Sequence, residues 1–175
     1  MNAAYISKAV NSTTKLQNYQ AYTMTLEDLF ELAFNKLTNQ HVMLDLLTVD
    51  HELGAKILAE TGIDVTGFII SIDTYGIRHA IERHGDEKKE ATKGQVALNK
   101  AAFHSLFLVL SEPESITFDP RKRSPSSTVV ETLIFEKQII DYHYVFKEIR
   151  RVKKKGKSNR LVFQTMFITK KRRTF

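Results

Sequence analysis

Apolar residues recur with two different periods along the chain. Over 25–40, TLEDLFELAFNKLTNQ places Leu26, Leu29, Phe30, Ala33, Phe34 and Leu37 at helical spacing behind a Thr25 cap, with acids in the first turn. HVMLDLLTVDHELGAKILAETG (41–62) continues in the same texture and predicts one or two further helices ending near Gly62. IDVTGFIISID (63–73) is a short β-branched run, either a strand or a buried connector. DTYGIRHAIERHG (73–85) predicts a helix with Asp73 or Thr74 as its N-cap and Gly85 as its stop.

The polar DEKKEATKGQ (86–95) reads as a loop, and VALNKAAFHSLFLVLSEP (96–113) as a helix closed by Pro113. After that the period shortens. ESITFDP, TVVETLIFEKQII, YHYVFKEIRRVKK and RLVFQTMFITKK are β-branched and aromatic strands, with PRKRSPSS as a loop and KKGKSN as a hairpin turn between the last two. The expected architecture is α+β: N-terminal helices followed by a four-stranded antiparallel sheet. A helical segment over 1–62, of unassigned role, would precede a domain over 63–175, or the two would form one continuous domain.

Composition narrows the chemistry. The chain of 175 residues is 42% apolar, enough for a core, and holds no cysteine. Disulfides, thiolate zinc sites and a cysteine nucleophile are thereby excluded. No apolar run has membrane-spanning length, and the first 25 residues lack a signal-peptide core, so the expected location is a cytoplasm, its own or a target cell's. The charge is divided unevenly. Residues 1–119 carry 10 Lys+Arg against 16 Asp+Glu, whereas 120–175 carry 16 against 4. Such a half-chain suits a polyanionic partner, although a solvated lysine-rich surface would look the same.

The stretch IDTYGIRHAIERHG, the segment KGQVALNKAAF, the helix ending LSEPESITFDP and the strands TLIFEKQI, YHYVFKEIRR and RLVFQTMFITKK resemble phage-type nucleases. These are the barnase–EndoU–colicin–RelE-like domains of polyvalent proteins of phages and conjugative elements. The resemblance spans roughly residue 60 to the end. It implies metal-independent, toxin-like RNA cleavage, with a histidine on a helix and basic or hydroxyl residues on the strands. No cofactor or metal is implied, and His79 with His84 at i, i+5 is poor ligand spacing.

Within that reading His79 is the first candidate acid–base residue, on the polar side of its helix with Tyr75, Glu82 and Arg83. His84 is the alternative, about 140° around a regular helix, where it could equally act as a cationic C-terminal cap. Alternation separates His143, Val145 and Lys147 from Tyr144, Phe146 and Arg150, and does not say which face is active. Lys147 and Arg150 are candidates for stabilising phosphate charge, and Thr165 for positioning it. Strict alternation in the last strand groups Leu161, Phe163, Thr165, Phe167 and Thr169. Arg78, Arg121, Arg123, Lys153, Lys155 and Lys171 are candidate backbone contacts, and Tyr144 or His143 could stack on a base. The expected substrate is RNA, with transfer RNA among the candidates. An unrestrained ribonuclease would harm its host, so the reading calls for a cognate antitoxin or immunity protein, or for weak or narrow activity. A nucleic-acid-binding accessory protein without catalysis, and a pure interaction protein, are the competing readings.

Overall fold

Thr25 opens the first helix as a capping box: its side chain accepts from the Asp28 amide, and the Asp28 carboxylate accepts from the Thr25 amide at 2.9 Å. In the computed structural model, which describes residues 24–35, 40–122, 129–151 and 159–170, this helix is α1, Leu26–Phe34. Its buried Leu29 and Ala33 face the core, and Phe30 meets Phe103 edge-on with ring centroids 5.6 Å apart. The remaining elements are β1 (Met43–Thr48), α2 (His51–Thr61), β2 (Ile69–Asp73), α3 (Thr74–His84), α4 (Glu87–Thr92), β3 (Gln95–Val96), a 3₁₀ segment (Lys100–Ser105), α5 (Leu106–Ser111), β4 (Ser115–Lys122), β5 (Val129–Ile139), β6 (Tyr142–Arg151) and β7 (Arg160–Lys170).

The meander of four long strands is present, but the sheet is larger than expected. It has seven strands in the order β1-β2-β7-β6-β5-β4, with β3 also paired to β7. Nor is it purely antiparallel, since β2 runs parallel to β7, pairing Ile69 with Arg160 and Ser71 with Val162. The segment MLDLLT is a strand and not a helix. Its register against β2 shifts between Asp45 and Leu47, so Leu46 is an extra residue and Leu44, Leu46 and Leu47 all pack against the core. That bulge breaks the period of two and leaves a leucine spacing that mimics a helix. The expected loop at 86–95 contains α4 and the first residue of β3, and the expected single helix over 96–113 is the rest of β3, then a 3₁₀ turn capped by Asn99 followed by a short α5.

One core lies between the helices and one sheet face. Ile77, Ala80, Phe103, Leu106, Val109 and Leu110 meet Leu133, Phe135, Phe146, Leu161, Phe163, Met166 and Ile168 there. Three strands are also tied by charge: the Arg160 guanidinium donates to both Asp45 carboxylate oxygens and, at 2.5 Å, to Ser71 Oγ. The arginine's hydrogen bond is the main cause that holds the Asp45 carboxyl below its ordinary range. Among the described residues no helix is long and apolar enough to cross a membrane.

Helix α3 sits against β7 where β2 has stopped pairing and β3 has not begun. Gly76 makes that approach feasible: a Cβ there would come within 2.9 Å of both the Phe163 ring and the Phe163 carbonyl oxygen. Asp73 starts the helix, accepting from the Gly76 amide at 2.6 Å and pairing with His41 at 2.8 Å. Gly76→Ala is therefore expected to lower stability by about 1–3 kcal/mol through overpacking, read as a lower denaturant midpoint with unchanged slope.

Candidate nuclease site

A single extra residue in β7 decides which side chains meet the candidate site. Lys147 pairs with Thr165 and Glu148 with Phe163, so Gln164 is bulged. Before the bulge Leu161 and Phe163 enter the core, and after it Met166 and Ile168 do. Thr165, Phe167 and Thr169 are thereby placed on the far face, where strict alternation would have grouped them with the core residue Phe163. The far face of β6 carries His143, Val145 and, by register, position 147 opposite Thr165. Position 150 pairs with the core residue Leu161 and so does not share a face with position 147.

His84 comes to this face from the last turn of α3. The helix is regular through His84, so five residues set His79 and His84 about 140° apart as the spacing requires. The His84 ring lies 6.3 Å from the Phe167 ring, and its Nδ1 pairs with Glu90 Oε2 at 2.9 Å. His79 instead stacks on Tyr75, centroids 6.0 Å apart and planes within 11°. The structure thus brings His84, Thr165 and position 147 to one face and leaves His79 on another part of the helix.

The partner of His84 comes from the segment that the sequence reads as a loop. Asp86 caps α4 by accepting from the Lys89 amide at 3.1 Å, and Gly94, with φ of 69°, turns the chain into β3. Between them Glu90 is fully buried, and Lys93 Nζ donates to its Oε1 at 2.5 Å. Burial alone would raise the Glu90 carboxyl. The hydrogen bonds and charges of Lys93 and His84 outweigh it, and the group is held below its ordinary value of 4.5. The sequence signal for this arrangement was the pair of an Asp cap and a glycine around EKKEAT, whose Glu90 lies six residues after His84.

Beyond Phe167 the far face becomes polar. Gln95, Thr169, His143 and Gln138 are cross-strand partners in a row over β3, β7, β6 and β5. They line a cleft of about 850 Å³ that Lys93, Lys170 and Glu114 also border. His143 Nε2 lies 3.8 Å from Glu136 Oε2, whose same oxygen accepts from Ser115 Oγ at 3.1 Å. Among the described residues, Gln95 Oε1 and Thr165 Oγ1 are the buried side-chain atoms left without a hydrogen-bond partner. Sequence reasoning missed Glu90, Lys93, Gln95 and Gln138.

The other candidates are placed differently. Arg78 Nη1 donates to the Ala33 carbonyl at 3.2 Å, binding α3 to the end of α1. Tyr144 packs against the core. Arg121 is a β4 position paired with Val130. Arg123, Lys153, Lys155 and Lys171 lie outside the described residues, as does most of the KKGKSN turn. No group of three or more His, Asp or Glu side chains among the described residues is disposed to hold a metal ion.

Because its carboxyl is depressed in the fold, Glu90 contributes stability that is present above about pH 4.5 and lost as pH falls through the lowered value. Glu90→Gln is expected to cost about 1–3 kcal/mol at neutral pH, because Lys93 and His84 lose a charged acceptor. The difference from the parent protein should narrow in denaturation curves taken at successively lower pH. A gap that stays constant down to pH ~3, below the ordinary carboxylate range, would show that ionised Glu90 is not what stabilises the fold.

No curated protein and no solved structure matches the chain. A family model described as phage-Barnase-EndoU-ColicinE5/D-RelE like nuclease3 (PBECR3) matches residues 48–175. That span takes in α2, α3 and the far face with its cleft, and omits α1 and nearly all of β1. With most of its length inside the match, the chain belongs to this family of phage-type nucleases.

Proposed function

We propose that this nuclease is an endoribonuclease that cuts RNA by metal-independent transesterification, with His84 as its acid–base residue. The observation that carries the reading is the His84–Glu90 pair, a histidine held at Nδ1 by a buried carboxylate on the far face of the sheet. A carboxylate in that position fixes the tautomer and the ring orientation, leaving Nε2 to exchange a proton with substrate. The reaction needs the ribose 2′-oxygen to attack the adjacent phosphorus and the 5′-oxygen to leave, giving a 2′,3′-cyclic phosphate and a 5′-hydroxyl. Extra negative charge on the phosphoryl oxygens calls for cations. Lys93 and Lys170 border the cleft, and Lys147 holds the position opposite Thr165.

The basic runs at 121–123, 153–157 and 170–173 supply backbone contacts to the RNA in this reading, through a salt-sensitive phosphate term. Transfer RNA is a substrate to try first, because single-stranded anticodon loops offer unstacked bases. The activity is placed in a cytoplasm, restrained by an antitoxin or immunity protein or by a narrow target range.

Purified protein incubated with total RNA and with transfer RNA is expected to give discrete cleavage that survives EDTA. His84→Ala should lower the rate by about 10²–10⁴-fold, the usual worth of a general acid or base, and His79→Ala should leave it near that of the parent. Intact RNA in every lane, with a gel shift that weakens as salt rises, would instead make this a nucleic-acid-binding module. Cleavage lost with His79→Ala and kept with His84→Ala would return the assignment to His79.

A further inference from the structure

Transesterification at phosphorus displaces the leaving oxygen from the side opposite the attacking one. One imidazole cannot reach both oxygens in the same step, so a carboxylate-backed histidine on one side calls for a proton donor on the other. The far face holds a second histidine–carboxylate pair in a suitable place. His84 stands over Phe167, and His143 pairs with Thr169, two residues further along β7 on the same face. The cleft that His143 borders is also bordered by Lys93, which holds Glu90 beside His84, so the two histidine–carboxylate pairs flank one polar cleft.

We propose that His143 is the general acid of this site, donating a proton to the leaving 5′-oxygen while His84 takes the proton of the 2′-hydroxyl. This assignment rests on the ribonuclease reading above. In the step the 2′-oxygen–phosphorus bond forms, the phosphorus–5′-oxygen bond breaks, and one proton moves onto His84 as another leaves His143.

The two pairs differ in a way that fits the two roles. Glu90 is buried and within hydrogen-bond distance of His84, an arrangement that orients a base and stabilises the cation it becomes. His143 is about one third exposed at the cleft wall, and Glu136 is 3.8 Å away, beyond a hydrogen bond. Its ring can therefore turn toward a bound phosphodiester without breaking a strong contact. The charged groups around it are Glu136 from β5, Glu114 before β4, Lys93 after α4 and Lys170 at the end of β7. Lys93, Lys170 and Glu114 border the cleft, so an anionic phosphate can enter beside the two lysines while Glu136 remains near the imidazole.

The test compares two leaving groups. One substrate is an RNA oligonucleotide that the parent protein cuts, and the other is the 3′-(4-nitrophenyl phosphate) of the nucleoside on the 5′ side of that cut. Nitrophenolate leaves without help from an acid. His143→Ala, with His143→Gln as a second variant and unfolding curves as a folding control, should lose about 10²–10⁴-fold in kcat/KM on RNA. On the aryl ester it should stay within roughly tenfold of the parent, whereas His84→Ala should lose both activities. Parent-like RNA cleavage by His143→Ala overturns the assignment while leaving His84 as the acid–base residue. Equal losses on both substrates overturn the acid role as well. A parent protein that cuts neither substrate sinks the ribonuclease reading, and the His143 assignment goes with it.

Discussion

The bulge at Gln164 is the constraint on which the site depends. β7 is the strand with the most pairings, touching β2, β3 and β6, and its first half must deliver Leu161 and Phe163 to the core beneath α3. Had the strand continued in strict alternation, Thr165, Phe167 and Thr169 would have followed them inward. Two threonines and a solvent-facing methionine and isoleucine would then have been exchanged across the sheet. One unpaired residue reverses the parity. Met166 and Ile168 fill the core, and the face opposite gains a hydroxyl, an aromatic ring for His84 to rest against and the polar row that floors the cleft.

The second half of the arrangement comes from the edge of the same strand. Between the end of the β2 pairing and the start of the β3 pairing, β7 has a stretch of backbone with no neighbouring strand on that side among the described residues. Helix α3 covers it, and only a residue without a side chain tolerates 2.9 Å to the Phe163 carbonyl. A helix lying over that gap in the pairing of β7 can serve both faces. Ile77 and Ala80 go to the core while the last turn reaches past the edge, which is how His84 comes to stand over Phe167. The chain then returns through α4 to form β3 on the same edge, so Glu90 and Lys93 arrive beside the histidine because the topology closes a short loop there.

These facts set what the sequence could reveal. The helix at 74–84, its Asp73 cap, α1 and the four-strand meander obey simple periods, and the alternation of Tyr142–Ile149 holds without interruption against β5. β1, expected as helix, and β7, whose faces strict alternation misgrouped, are the strands with bulges among the described residues, at Leu46 and Gln164. A bulge is a residue of no distinctive type, and it exchanges the faces of everything after it, so periodicity carries no warning of it. β3 was missed because two residues are too short for any period to appear, and Glu90 because a one-and-a-half-turn helix rich in charge has the composition of a loop. Both histidines were legible as candidates, and which of them meets the far face of β7 was not. That distinction lies in which of two helix faces meets β7, a matter of tertiary packing.

The buried carboxylate gives the last link. A lone Glu at the position of Glu90 would carry a desolvation cost of several kcal/mol and would settle by taking up a proton. Lys93 removes that outcome from the neighbouring turn, with Nζ at 2.5 Å from one oxygen while His84 holds the other. The cation that neutralises Glu90 is thus a lysine half exposed to solvent, and the carboxylate does not depend on a proton on His84 for its charge balance. In the ribonuclease reading proposed above, the same carboxylate stabilises an imidazolium formed during the reaction. Without Lys93, Glu90 would be a buried charge without that cation beside it, at the desolvation cost named above. The lysine that looks like one more surface charge in EKKEATKG is, on this geometry, what lets a buried acid and a base share one hydrogen bond.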